Sequence, residues 1–280
     1  ASVPVRVTSG TNEERAEASK GMFASCKGTV LIAEDNLTNQ KVAQGILKKL
    51  GLRSEVVPNG QEAIRALEKN DYSLLLMDVQ MPILDGIKAT KLIRAENSKV
   101  RDKDLPIIAM TAHAMVGDEE DCLHAGMNGY VPKPINVKTL VSALSKYLLP
   151  LSDKKTKTFD TAIDNSFDIE CFDETVLLNM LLGDEELAHT ILNEFLADLP
   201  KQIDNLERLI VDGSAEDIAK QAHSIKGASA NVGAKALTDV ARQIEDIARK
   251  GDVSPAQELL CRLKRELNRL KDSQMNKLGD

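Results

Sequence analysis

The chain has only four cysteines, Cys26, Cys122, Cys171 and Cys261, set far apart and with no CxxC pair. Neither a zinc site nor a disulfide framework is suggested, and a reducing, cytoplasmic setting is expected. Long hydrophobic runs are also missing, so no membrane-spanning segment is read in the sequence. The opening ASVPVRVTSGTNEERAEASK lacks the apolar centre of a secretory leader. Because Ala1 comes first, the chain reads as a piece whose parent could be anchored in the inner membrane. Positive charge is in deficit, with 36 basic residues against 43 acidic and a net charge of −7. That balance argues against nucleic acid as the main partner. No glycine-rich nucleotide loop of the Walker or kinase type occurs, so this stretch is no kinase by itself.

What is present is ordinary soluble-protein chemistry, 42% hydrophobic and 28% charged over 280 residues. That length suits two domains, each able to bury a core. Residues 27–150 carry 16 basic and 15 acidic side chains, whereas 166–280 carry 14 and 22. Two segments of different electrostatic character are implied.

The stretch Leu74 to Pro82, LLLMDVQMP, organises the first half. Its apolar run fits a strand buried on both faces, ending abruptly at Asp78. The same alternation recurs around it. Strands are expected at Thr29–Ala33, Arg53–Val57, Leu105–Met110 and Gly129–Val131. Helices follow each, with Asn36 capping the first and Gly51 ending it. Five strands alternating with five helices predict a doubly wound parallel α/β sheet of flavodoxin-like order 2-1-3-4-5 over residues 27–150. Residues 1–26 read as a flexible tail and 151–165 as a linker. Beyond the linker, over 166–280, apolar residues recur every three or four positions. They describe a long helix through Leu187 and Leu209 with Pro200 inside it, then three more around Ile218, Val240 and Leu263. An all-α four-helix bundle is the natural packing.

In the expected strand order Glu34, Asp35 and Asp78 converge on one rim. Such a cluster repels itself unless a hard divalent cation is present, and oxygen ligands suit Mg²⁺. Thr111 and Lys133 reach the same rim. A carboxylate nucleophile, a metal, a hydroxyl and an ammonium are the parts needed to move a phosphoryl group. A flavin site would want a Ser/Thr/Gly-rich phosphate loop where Glu34 and Asp35 stand. A haloacid dehalogenase phosphatase would carry a second acid where Gln80 stands.

With these residues in place, 27–150 resembles a response-regulator receiver domain. The likeness lies in the pair Glu34-Asp35, the DVQMP run from Asp78, Thr111-Ala112, and Lys133-Pro134 lying 22 residues after Thr111. It implies that Asp78 is phosphorylated and that Mg²⁺ is held by Asp35, Asp78 and the backbone carbonyl of Gln80, with Glu34 helping through water. It also implies a switch role for Tyr130 and a cis peptide at Lys133-Pro134.

In the second half His223 lies within AKQAHSIKGASANVGA, on a helix face made by Ala219, Lys226, Gly227 and Ala230. That face is small and open, leaving room for another protein, and Lys226 can counter a phosphoryl charge. No partner at metal-ligand spacing accompanies the histidine. The HSIKG run resembles the HxxKG motif of histidine phosphotransfer domains. By that resemblance His223 carries a phosphoryl group, Lys226 assists, and Gly227 lets a receiver approach.

Together these readings describe the carboxy-terminal part of a hybrid sensor histidine kinase, or a freestanding relay protein. Asp78 would accept a phosphoryl group from a histidine kinase domain, pass it to His223, and His223 would donate it to a downstream response-regulator receiver. Two alternatives stay open: a phosphorylation-insensitive scaffold, and two domains that serve different partners.

Overall fold

In the computed structural model the five expected strands form one sheet, all parallel, in the order β2-β1-β3-β4-β5. The structure describes residues 21–111, 116–149, 172–212 and 214–277. The tail over 1–20 and the linker over 151–165 lie outside them, as do Ala112, His113 and Cys171. The elements run β1 (Thr29–Ala33), α1 (Leu37–Lys49), β2 (Arg53–Val57), α2 (Gly60–Lys69), β3 (Leu74–Asp78), α3 (Gly86–Arg94), β4 (Ile107–Thr111), α4 (Val116–His124), β5 (Gly129–Pro132) and α5 (Val137–Leu148). Then come α6 (Glu174–Met180), α7 (Glu185–Asp212), α8 (Ala215–Asn231), α9 (Lys235–Arg249) and α10 (Ala256–Lys277).

Period-two alternation sorts each central strand between two cores. Leu31, Ala33, Leu75, Met77 and Ile107 face a layer that includes Ala63, Leu67, Ala89 and Ile93 from α2 and α3. Val30, Ile32, Leu74, Leu76 and Ile108 face Val42, Ile46 and Leu47 of α1 and Leu140 and Leu144 of α5. The second core does not stop at the sheet. It continues past α1 into Leu181, Ile191, Phe195 and Ile225 of the helical half, so the halves share one apolar body.

Three expectations need correction. The strand read as Leu105–Met110 begins only at Ile107 and runs on to Thr111. Pro106 has no N–H for the ladder, and Leu105 is buried as part of the approaching loop. The tail read over 1–26 ends earlier than expected. Phe23 is fully buried, and its N–H donates to Leu50 O at 2.9 Å. The helical half contains a further short helix, α6, ahead of the four expected ones. Asp173 caps it, accepting from Thr175 N at 3.0 Å. It ends at Met180, and Leu182 and Gly183 just beyond have φ of 55° and 79°, which no helix can continue. Two turns are too few to show a 3.6-residue period.

Helix α1 is where the halves meet. One side packs on the sheet. The other carries Gly45, where a Cβ would stand 2.8 Å from Leu187 Cδ2 and 3.1 Å from Leu181 Cδ2. The missing side chain lets the bundle's leucines approach the α1 backbone. Lys49 pairs with Asp184 at 2.5 Å and Lys41 with Glu194 at 3.6 Å along the rim of the same contact.

Candidate functional site

Strand register assembles the acidic rim. Ala33 pairs with Met77, so the next residue of each strand, Glu34 and Asp78, come side by side. Asp78 pairs with Met110 and Thr111 with Pro132, which brings Thr111 and Lys133 to the same edge. Asn36 caps α1 through Oδ1, accepting from Thr38 N at 3.0 Å and Asn39 N at 3.2 Å, and this turn holds Glu34 and Asp35 at the helix entry.

The Lys133 ammonium lies 2.6 Å from Glu34 Oε2 and 2.7 Å from Asp78 Oδ2, and all three side chains are buried. Burial works against that ammonium, but Asp78 and Glu34 outweigh it and raise Lys133 above the ordinary lysine value. Asp78 is itself pushed well above the usual carboxylate range, first by burial and then by Glu34 and Asp35, against the pull of Lys133. Asp35 is pushed up to about 7 by burial and by the charge of Glu34. One ammonium does not neutralise three carboxylates.

Ligand oxygens of Glu34, Asp35 and Asp78 lie within 4.8 Å of one another, and among the described residues they are the one such group able to hold a metal. The donor set is all oxygen, with excess negative charge, so it fits a hard divalent cation. Gln80 N donates to Asp78 Oδ1 at 3.2 Å, which turns the strand end back over the rim. The Lys133-Pro134 peptide is cis. Thr111 is buried and its carbonyl accepts from Lys133 N at 2.6 Å, while Tyr130 on β5 is 36% exposed.

His223 does not stand on an open face. It is 5% exposed, and its neighbour Ser224 is bonded to Asn36 of the sheet domain. Two bridges bracket it. On one side Asn36 Nδ2 donates to the adjacent Ser224, at 3.1 Å to Oγ and 3.4 Å to the carbonyl, and to Gln202 Oε1 at 3.3 Å. On the other side Arg249 donates to Gln80 Oε1 at 3.1 Å and to Glu245 Oε1 at 2.7 Å. Asn36 follows Asp35 and Gln80 lies two residues past Asp78, so the histidine is set against the acidic rim. The charge of Lys133 reaches it and contributes to lowering its pKa.

Glu245 is the residue the sequence reading missed. Its Oε1 lies 2.9 Å from His223 Nδ1, and its Oε2 lies 2.6 Å from Lys226 Nζ. Lys226 is therefore paired with Glu245 in this structure. Burial would raise the Glu245 carboxyl, yet its bonds to His223 and Lys226 hold it far below the usual range. An ionised carboxylate can only accept, so the Nδ1 proton of His223 points to Glu245. Burial lowers the histidine below its ordinary value despite Glu245. With Nδ1–H turned to Glu245, the neutral form of the ring carries its lone pair on Nε2.

A signal for Glu245 was available. Leu237, Val240, Ala241, Ile244 and Ala248 of α9 are buried. Glu245 falls inside that stripe, four residues after Ala241 and three before Ala248, where an unpaired acid would be costly.

Comparison with known proteins gives two family matches. A family model described as the response regulator receiver domain matches residues 30–145, and one described as the Hpt domain matches 190–273. The chain is 39% identical over 160 residues to a probable histidine kinase 1 of Oryza sativa, a match covering 47% of the chain and 16% of that protein. It is 28% identical over 224 residues to the sensor histidine kinase GacS of Pseudomonas protegens, covering 80% of the chain and 24% of that protein. The chain thus spans a quarter or less of the length of these relatives. A crystal structure of a sensor histidine kinase receiver domain from Pseudomonas aeruginosa, with magnesium in its active-site cleft, is 41% identical, covers 43% of the chain and 97% of its own, and superposes with a TM-score of 0.40.

Proposed function

Since residues 30–145 are a response regulator receiver domain and residues 190–273 an Hpt domain, we propose that the chain is the two-step relay module of a hybrid sensor histidine kinase. Asp78 takes a phosphoryl group from a histidine kinase domain and hands it to His223 of the same chain. His223 then donates it to the receiver of a separate response regulator. The observation that carries this reading is the bracketing of His223 over the acidic rim by the Asn36–Ser224 and Gln80–Arg249 bonds.

In the first step an Asp78 carboxylate oxygen attacks phosphorus, forming an acyl phosphate as the bond to the donor's histidine nitrogen breaks. Asp35, Asp78 and the Gln80 carbonyl would hold Mg²⁺, with Glu34 assisting, and the ion supplies positive charge for the phosphoryl oxygens. Lys133 neutralises a phosphoryl oxygen and Thr111 hydrogen-bonds another. In the second step the His223 Nε2 lone pair attacks phosphorus, the P–N bond forms, and Asp78 leaves as a carboxylate. Glu245 accepts a hydrogen bond from Nδ1–H, holds that tautomer, and stabilises the positive charge that develops on the ring. Lys226, held by Glu245, reinforces that carboxylate's position. Tyr130, half-exposed on β5, turns inward when Asp78 is phosphorylated and relays the change to the last helices.

Incubating the chain with acetyl phosphate and Mg²⁺ tests the reading. Acid- and base-lability of the label, with Asp78→Asn and His223→Gln variants, locates the phosphate. Label reaching His223 only when Asp78 is intact supports the internal relay. Label confined to Asp78 would leave a receiver whose bundle serves another protein, and no label with Mg²⁺ present would favour a scaffold.

A further inference from the structure

Where α1 meets α8, Asn39 and Asn231 are buried, 2% and 0% exposed. They join through one hydrogen bond, Asn231 Nδ2 to Asn39 Oδ1, at 2.7 Å. Asn39 is not free to turn its amide over. Its Nδ2 donates to Glu34 Oε1 at 2.8 Å, and the Glu34 carboxylate, paired through its other oxygen with Lys133, can only accept. The acidic rim therefore forces Oδ1 of Asn39 outward, toward whatever docks on α1. Only a hydrogen-bond donor can meet it there without burying two acceptors face to face.

The bundle supplies that donor at some cost to itself. Among the described residues the buried Oδ1 of Asn231 accepts no hydrogen bond. An amide kept only for the bundle's own packing would satisfy both its halves there. Gly227, one turn earlier on α8, keeps the approach clear, because a Cβ at that position would stand 3.3 Å from Asn39 Nδ2.

We propose that the Asn39–Asn231 pair is the specificity contact of the relay step, by which the receiver accepts a bundle presenting a buried N–H donor at the position of Asn231. The proposal rests on the relay reading above. Neither asparagine bonds to Asp78 or His223, so both act by positioning. A bundle offering an acceptor or an apolar side chain there is turned away although its histidine and lysine are intact.

The test uses the full chain and counts label on His223 per molecule labelled at Asp78 by acetyl phosphate. Asn231→Asp keeps the shape and replaces the donor with an acceptor, and transfer is expected to slow at least tenfold. The cycle of Asn39→Ala, Asn231→Ala and the double variant carries the test if the aspartate variant does not fold. The double is expected to lose no more than the worse single, whereas a loss equal to the product of the singles would overturn the pairing. Small-angle scattering without any phosphoryl donor reads docking separately from chemistry. The Asn231→Asp chain is expected to expand relative to the parent, and identical profiles would overturn the proposal. If the parent chain transfers nothing to His223, the relay reading fails, and scattering still decides whether the pair governs docking.

Discussion

The acidic rim of the receiver and the charge cluster around His223 are built with opposite balances. The receiver rim sets three carboxylates against one ammonium. The bundle sets one carboxylate, Glu245, against Lys226, Arg249 and the His223 imidazole. Their titration behaviour follows. On the rim, Asp35 and Asp78 are pushed up; in the bundle, Glu245 is held down. The rim is incomplete by itself and calls for a cation, whereas the bundle is neutralised from within. The same kind of change, removal of one carboxylate, should therefore have opposite signs in the two places.

The largest effect is expected in the bundle. Glu245→Ala leaves Lys226 and His223 buried without their anion and should cost about 3–5 kcal/mol of stability, read as an early loss of helical signal in urea. A neutral result would erase the contrast. On the rim, Asp35→Asn should stabilise the metal-free chain by up to about 4 kcal/mol at pH 8. The sign follows from a folded-state value of about 7 against 3.8 for the free side chain, because above pH 7 the folded state must carry a charge it resists. As pH falls through 7 the folded carboxyl takes up its proton while the unfolded one stays ionised, so the gain shrinks. It should vanish below about pH 4. A gain that grew toward acid would contradict this account of the rim.

Mg²⁺ sharpens the same comparison at smaller amplitude. At ten times its dissociation constant a ligand bound only by the folded state adds about 1.4 kcal/mol. Melting of the parent chain should rise by that equivalent and fall back with chelator, whereas Asp35→Asn should barely respond. The smallest effect belongs to the rim of the interdomain contact. Lys49→Ala removes the partly exposed pair with Asp184 and should cost about 0.5 kcal/mol, less at high salt.

Much of the receiver was legible from the chain alone, because strand and helix periods are local. The Leu74–Asp78 run, the acids after Ala33, Thr111 and Lys133 each sit at an element end, and parallel register brings such ends together. The α6 helix escaped because two turns show no period. Glu245 escaped because apolar residues alone mark the face of α9, and the buried stripe there also includes this one acid between Ala241 and Ala248. The docking of the halves left no local trace, since Asn36 and Ser224 lie 188 residues apart, and Asn39 and Asn231 lie 192 apart. Only the sum of side-chain fits over α1 reveals it.

Helix α1 offers one outward face, and here the chain's own bundle occupies it. In the proposed relay an outside kinase seeking Asp78 would compete with the bundle for α1, and an outside regulator seeking His223 would compete with the chain's own receiver for the bundle. Tethering can hold such a rival at millimolar effective concentration. Under the proposed relay, outside partners would be served in turn, and how often the docked halves part would set the pace.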